Sequence, residues 1–237
     1  MNIFEYKRLF NRINLRVFGV KLHFRLPIYK KNFYVSLGTN CFPRLKLTTY
    51  GLKAKKKQGE LSCPFDLAWT PLSSTLQILK NDFKDYLEDF EFDANEQMWK
   101  NSKYNITYPH DGDISLEKMI SRYQNRIENF RNVVMKQSKL MFVLADFNRT
   151  FNPEVLNSIF EYLVEVRSGL PFRFFVISFV DKNSPVKNIS LLNPNIIYKE
   201  YKPKCTIAEF LQLWFTTNNE EDVLIAPIKD IEKYSNF

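Results

Sequence analysis

Phe33-Tyr34-Val35-Ser36-Leu37-Gly38-Thr39-Asn40-Cys41-Phe42-Pro43 is the stretch on which the reading of the chain turns. Its first five residues are a short β-prone run ended by Gly38, which predicts a strand. Thr39 and Asn40 are helix-start residues and Pro43 suits a first helical turn, so a helix is expected from there to Gly51. A strand that passes through glycine into a helix puts Cys41 beside backbone N–H groups with no intrahelical partner, at the positive end of the helix dipole.

The same alternation continues outward. Residues 104–108, 140–144, 172–180 and 196–201 read as strands, and 140–144 and 172–180 are almost wholly apolar. Helices are expected from Ser73 or Ser74 to about Tyr86, from Ser115 to about Gln137, from Pro153 to about Arg167, and over 206–215. Residues 53–59 form a basic loop, and 88–103 are polar and irregular. Strands alternating with helices, with apolar central strands, predict an α/β fold: a mostly parallel sheet flanked by helices, in a single domain over 32–237. Such sheets bind ligands at the carboxyl ends of their strands, and Cys41, His110 and Asp146 each follow a predicted strand.

Residues 1–31 are a separate arm. They hold eight Lys and Arg and a single acid, Glu5, so nearly all of the +8 net charge lies there. Ile3, Tyr6, Phe10, Ile13 and Val17 recur at helical spacing, which predicts an amphipathic helix over 1–18 stopped by Gly19. Such a helix either docks on the domain or lies, through residues 1–25, on an anionic membrane surface. Confined to an arm, the basicity does not describe a nucleic-acid face, and no nucleic-acid partner is expected.

Other classes are set aside by what the sequence lacks. There is no apolar run of about 18 residues, and basic residues interrupt every candidate signal-peptide core, so a cytoplasmic protein is expected. Cys41, Cys63 and Cys205 are widely spaced, without a CxxC pair, and no zinc site is expected. No phosphate loop, dinucleotide fingerprint or HExxH motif occurs, so no metal or cofactor is expected.

The chemistry that remains is that of a thiol. A helix N-terminus lowers a cysteine pKa, and the N–H groups there, with the Gly38-Thr39-Asn40 turn and the Asn40 amide, are candidates for binding an acyl oxyanion. The chain has two histidines; His23 lies in the arm, which leaves His110 as the candidate general base. A third group would orient the imidazole, and Asp146 and Asp66 are level candidates for it. Asp111 adjoins His110, but adjacent side chains of an extended segment point apart. Arg122, Arg126 and Arg131 recur along the helix over 115–137 and either face solvent or meet an anionic substrate. The alternatives are a buried structural Cys41 and a His110 that caps a helix.

Ser36-Leu37-Gly38-Thr39-Asn40-Cys41, Leu45, Gly51-Leu52 and Ser62-Cys63-Pro64-Phe65-Asp66 together resemble the start of a bacterial domain of unknown function described as a papain-like cysteine peptidase. His110-Asp111 and the run Arg122-Tyr123, Arg126 and Phe130 are similar to it as well, so the resemblance spans roughly 33–145. It implies a nucleophile at Cys41 and a base at His110. One departure is the turn that often ends in Trp, which reads Asp66-Leu67-Ala68-Trp69 here. It also makes a papain-like α+β fold the alternative to α/β. Phe18-Gly19-Val20-Lys21-Leu22 resembles leader segments of bacterial surface-polysaccharide enzymes, which implies a setting at the inner membrane face. The expected activity is cysteine-dependent hydrolysis or acyl transfer on a small-molecule, glycan or peptide substrate; the competing expectation is a non-catalytic assembly protein of envelope-glycan synthesis.

Overall fold

The computed structural model describes residues 4–9, 12–17, 20–25, 32–55, 57, 59, 61–185, 193, 195–216, 222–235 and 237. The first three strands, β1 (Phe4–Leu9), β2 (Arg12–Val17) and β3 (Val20–Arg25), form an antiparallel sheet in sequence order. This corrects the amphipathic helix expected there. Ile13, Leu15 and Val17 alternate with Arg12, Asn14 and Arg16, and Val20, Leu22 and Phe24 alternate in the same way, which is strand periodicity. The register sets Ile13 opposite Phe24 and Leu15 opposite Leu22. Ile3, Phe10 and Gly19, on which the helix also relied, lie outside the described residues.

A four-stranded parallel sheet forms the centre, in the order β10 (Ile196–Tyr201), β9 (Phe172–Phe179), β8 (Lys139–Phe147), β4 (Asn32–Ser36). Its strands are apolar because both faces are covered. On one face Val35, Leu140, Phe142, Leu144, Phe174 and Val176 pack under α2 (Leu72–Lys80), α3 (Leu116–Val134) and α4 (Pro153–Arg167). On the other, Tyr34, Met141, Val143, Ala145, Phe175 and Ile177 pack under α1 (Phe42–Thr49), α5 (Ile207–Thr216) and α6 (Asp222–Tyr234). Each large side chain so buried contributes about 1.5–3 kcal/mol. The parallel sheet bears out the α/β expectation; α6 was not expected from the sequence.

A third sheet is antiparallel: β5 (Phe90–Asp93), β6 (Met98–Asn101) and β7 (Ile106–Tyr108). Residues read as irregular thus make a hairpin, and the strand before His110 belongs to this sheet and not to the parallel one. Arg167 closes the back of the fold. It is fully buried, and its guanidinium donates to the carbonyls of Val134, Lys136, Ser138 and Pro171, which joins the ends of α3 and α4 to the start of β9. Among the described residues no helix is long and apolar enough to cross a membrane.

Candidate active site

Cys41 is delivered by a sharp turn between β4 and α1. Leu37 N–H still pairs with the Val143 carbonyl at 3.0 Å, as a last rung of the sheet. Gly38 and Thr39 then both take positive φ, +92° and +59°, a conformation that a β-branched residue such as Thr adopts only under constraint. Three contacts hold it: Thr39 N–H donates to the Thr70 carbonyl at 3.1 Å, and the Thr39 hydroxyl and the Asn40 amide both donate to the Ala145 carbonyl at the end of β8. A Cβ on Gly38 would lie 3.3 Å from Thr70 Cβ and from Thr75 Oγ1, so the close approach also requires glycine. Cys41 follows at the N-cap of α1 and is fully buried.

His110 comes from the loop after β7. Gly112 lets that loop press against the β5–β6 hairpin, since a Cβ there would fall 2.0 Å from the Gln97 carbonyl oxygen. The Trp99 indole donates to the Ile114 carbonyl at 3.1 Å on the same loop. Asp111 is the main anchor. Its buried carboxylate accepts from Arg122, from the Tyr123 hydroxyl at 2.8 Å and from Arg126 at 3.5 Å, all on α3. With the loop so held, His110 Nε2 stands 3.5 Å from Cys41 Sγ. Among the described residues this is the only hydrogen bond of the ring.

The electrostatics favour a neutral pair. Burial pushes the Cys41 thiol up; a hydrogen bond from the Trp69 side chain and one from the cysteine's own backbone N–H pull the other way without prevailing. Loss of hydration lowers the His110 pKa; Asp111 raises it and Arg126 lowers it further. The lowered thiol pKa expected from a helix N-terminus is therefore corrected. Burial is the reason, and the first turn of α1 has little to set against it: Phe42 N–H is already bonded to Asn40 Oδ1 at 3.0 Å, and Pro43 has no N–H to offer.

The other expected residues are placed differently. Asn40 Nδ2 donates to Ala145 O at 2.9 Å and to Thr39 Oγ1 at 3.2 Å, so its two protons are spent on the turn and it is not free to bind an oxyanion. Asp66 is fully buried, bound by Lys53 Nζ at 3.2 Å and by Cys63 N–H at 2.9 Å, with Arg44 Nε 3.9 Å away. Asp146 accepts from Thr150 N–H at 2.9 Å, from the Thr150 hydroxyl and from Ser178, and burial raises its pKa. Neither carboxylate bonds to His110 among the described residues, so the structure brings neither of them to the imidazole. Arg126 is 7% exposed, with its guanidinium 4.4 Å from the Tyr123 ring centre, so it is not part of a solvated face. Arg131 does lie at the surface, paired with Asp82 at 2.9 Å.

Trp69 was not singled out as a site residue. It ends the segment after Asp66, is 42% exposed, and its backbone pairs with Thr107 of β7. The signal in the sequence is the tryptophan that closes the segment after the Pro-Phe-Asp turn. With Thr39, Thr107, Asp146, Thr150 and Phe151 it lines a cleft of about 500 Å³. A second cleft, of about 950 Å³, is lined by Leu67, Arg44, Arg122 and Arg126 among others.

A family model described as "putative papain-like cysteine peptidase" matches residues 32–182, which runs from β4 past β9 and includes both Cys41 and His110. No curated protein and no solved structure matches the chain.

Proposed function

Because this chain belongs to the family described as "putative papain-like cysteine peptidase", we propose that it is a cysteine hydrolase in which Cys41 is the nucleophile and His110 the general base. The observation that carries the reading is the 3.5 Å contact between Cys41 Sγ and His110 Nε2, made across 69 residues of sequence.

The neutral pair sets the order of events. The acyl carbon of the substrate comes against the Cys41 sulfur, which is buried in the free protein. As the S–C bond forms, the thiol proton passes to His110 Nε2 and the carbonyl π electrons move onto oxygen. The Trp69 indole N–H and the Cys41 backbone N–H steady the sulfur as its proton leaves. Collapse of the tetrahedral adduct breaks the bond to the leaving group, which takes the proton back from His110. The resulting thioester is released by water, with His110 again accepting a proton, or by an acceptor nucleophile in acyl transfer.

Acylation by p-nitrophenyl acetate, followed by mass spectrometry of the intact chain, tests this. An acetyl adduct should form on Cys41 and not on Cys63 or Cys205. His110→Ala should slow its formation by about 10²–10⁴. Acylation of His110→Ala at the wild-type rate, or equal labelling of the three cysteines, would sink the proposal.

A further inference from the structure

The larger cleft, about 950 Å³, is unusually cationic. Among the described residues its wall carries Arg44, Lys118, Arg122 and Arg126, and Glu117 as its one acid. Arg44 stands on the first turn of α1, three residues past Cys41, and is 7% exposed. Among the described residues its buried Nη1 has no hydrogen-bond partner. The nearby carboxylate does not satisfy it: Asp66 is 3.9 Å from Arg44 Nε and is already bound by Lys53 and Cys63. The second carboxylate, Asp111, is shared between Arg122 and Arg126. Three guanidiniums thus face two carboxylates that other groups also claim. A buried guanidinium with an open N–H is costly in a folded protein unless a ligand completes it.

We propose that this cleft is a binding site for an anionic group, a carboxylate or a phosphate, held by Arg44 and Arg126 with Lys118 at its exposed edge. The planar fork of arginine donors matches both anions in a bidentate way. Two residues of the wall are tied to the elements that carry the dyad. Arg44 shares the first turn of α1 with Cys41, and Arg126 holds Asp111, the residue after His110. The use of a bound anion as a handle on the substrate rests on the cysteine-hydrolase reading. The anion site itself does not rest on that reading.

The test is a titration of the full chain with inorganic phosphate and, separately, with acetate at constant ionic strength, following arginine side-chain Nε–H signals by NMR. Saturable shifts at Arg44 and Arg126 are expected. Saturation by phosphate alone assigns a phosphate group; saturation by both assigns the wider carboxylate class. Asn125→Asp places a negative charge on an exposed position of the wall without disturbing the core, and should weaken binding at least tenfold. Arg44→Gln should abolish it, and Asn125→Asp decides the matter if that variant does not fold. Cys41→Ser should bind as the wild type does, so a failure of the thiol chemistry leaves this result readable. Shifts that stay linear in both anions, or saturable binding unchanged by Asn125→Asp, would overturn the site.

Discussion

Trp69 and Thr107 exchange a pair of backbone hydrogen bonds, Trp69 N–H to Thr107 O at 2.9 Å and Thr107 N–H to Trp69 O at 3.1 Å. This short bridge fastens the segment whose indole meets the Cys41 sulfur to the strand that leads to His110. Nucleophile, donor and base come from three parts of the chain, and two of them are set relative to one another by main-chain bonds that substitutions other than proline leave in place.

Trp69→Phe should therefore separate the indole N–H from the scaffold. The ring and the backbone bridge remain, so the urea midpoint should hardly move. The donor is lost as negative charge develops on sulfur. Hydrogen bonds to charged groups contribute about 1.5–3 kcal/mol, so acylation should slow by roughly 10–100-fold. The pH midpoint for alkylation of Cys41 by iodoacetamide should rise as well. Wild-type rate and midpoint in Trp69→Phe would remove the indole from the mechanism.

The neutral pair predicts a one-sided pH profile. His110 titrates below the ordinary histidine value of 6.5, and the Cys41 thiol above the ordinary 9.0. Activity that depends on a neutral imidazole should rise with pH through a midpoint under 6.5 and show no loss up to pH 9. Alkylation of Cys41 in the free protein should have its midpoint above 9, and at pH 7 should be no faster than that of Cys205. A bell-shaped profile, with a thiol midpoint well below neutrality, would instead point to a preformed thiolate–imidazolium pair.

Asp111→Asn should damage stability more than any change at the dyad. It leaves the buried Arg126, and Arg122 beside it, without their carboxylate, and breaking one partner out of a buried ion pair costs about 3–5 kcal/mol. Urea unfolding measures the loss. The double variant Asp111→Asn with Arg126→Met should recover part of it, because the uncompensated charge goes too. A loss under about 1 kcal/mol in the single variant would mean that the loop is held in another way.

Asp146→Asn distinguishes a cleft wall from a triad member. With no bond to His110, the carboxylate should be dispensable for acylation, with a change of less than about threefold; a loss of about 10²-fold would restore it to the catalytic set. The stability of the pair should also depend on pH. The folded protein binds the Asp146 proton more tightly than the unfolded chain, since burial raises the pKa from its ordinary 3.8. Wild type therefore gains stability as pH falls through the raised value, and lacks that gain at neutral pH. The wild-type-minus-variant difference in unfolding free energy should be larger near pH 4 than at pH 7; the opposite trend would contradict the raised pKa.

The central sheet was legible in the chain because strands buried on both faces must be continuously apolar, as 140–144 and 172–180 are. Cys41 was legible because strand, glycine and helix-start residues meet there, and His110 because one histidine remained outside the arm. The N-terminal strands were misread because Tyr6, Ile13 and Val17 satisfy a helical spacing, while Ile13, Leu15 and Val17 satisfy a strand spacing equally well. Pairing with β3 settles that ambiguity, and pairing is not a local property.

The charged residues show the limit most clearly. Arg126 and Arg131 share a helix and a residue type, yet Arg126 is buried against Asp111 and Tyr123 while Arg131 sits at the surface on Asp82. The sequence settled that thiols and, outside the basic arm, one imidazole were the groups available. Whether they meet, which carboxylate supports them, and whether the sulfur keeps its proton depended on desolvation and on contacts between residues far apart in sequence. Those energies arise only when distant segments exclude water from one another, so the assembled fold, and not local sequence, set the direction of the Cys41 pKa shift and brought His110 to the sulfur.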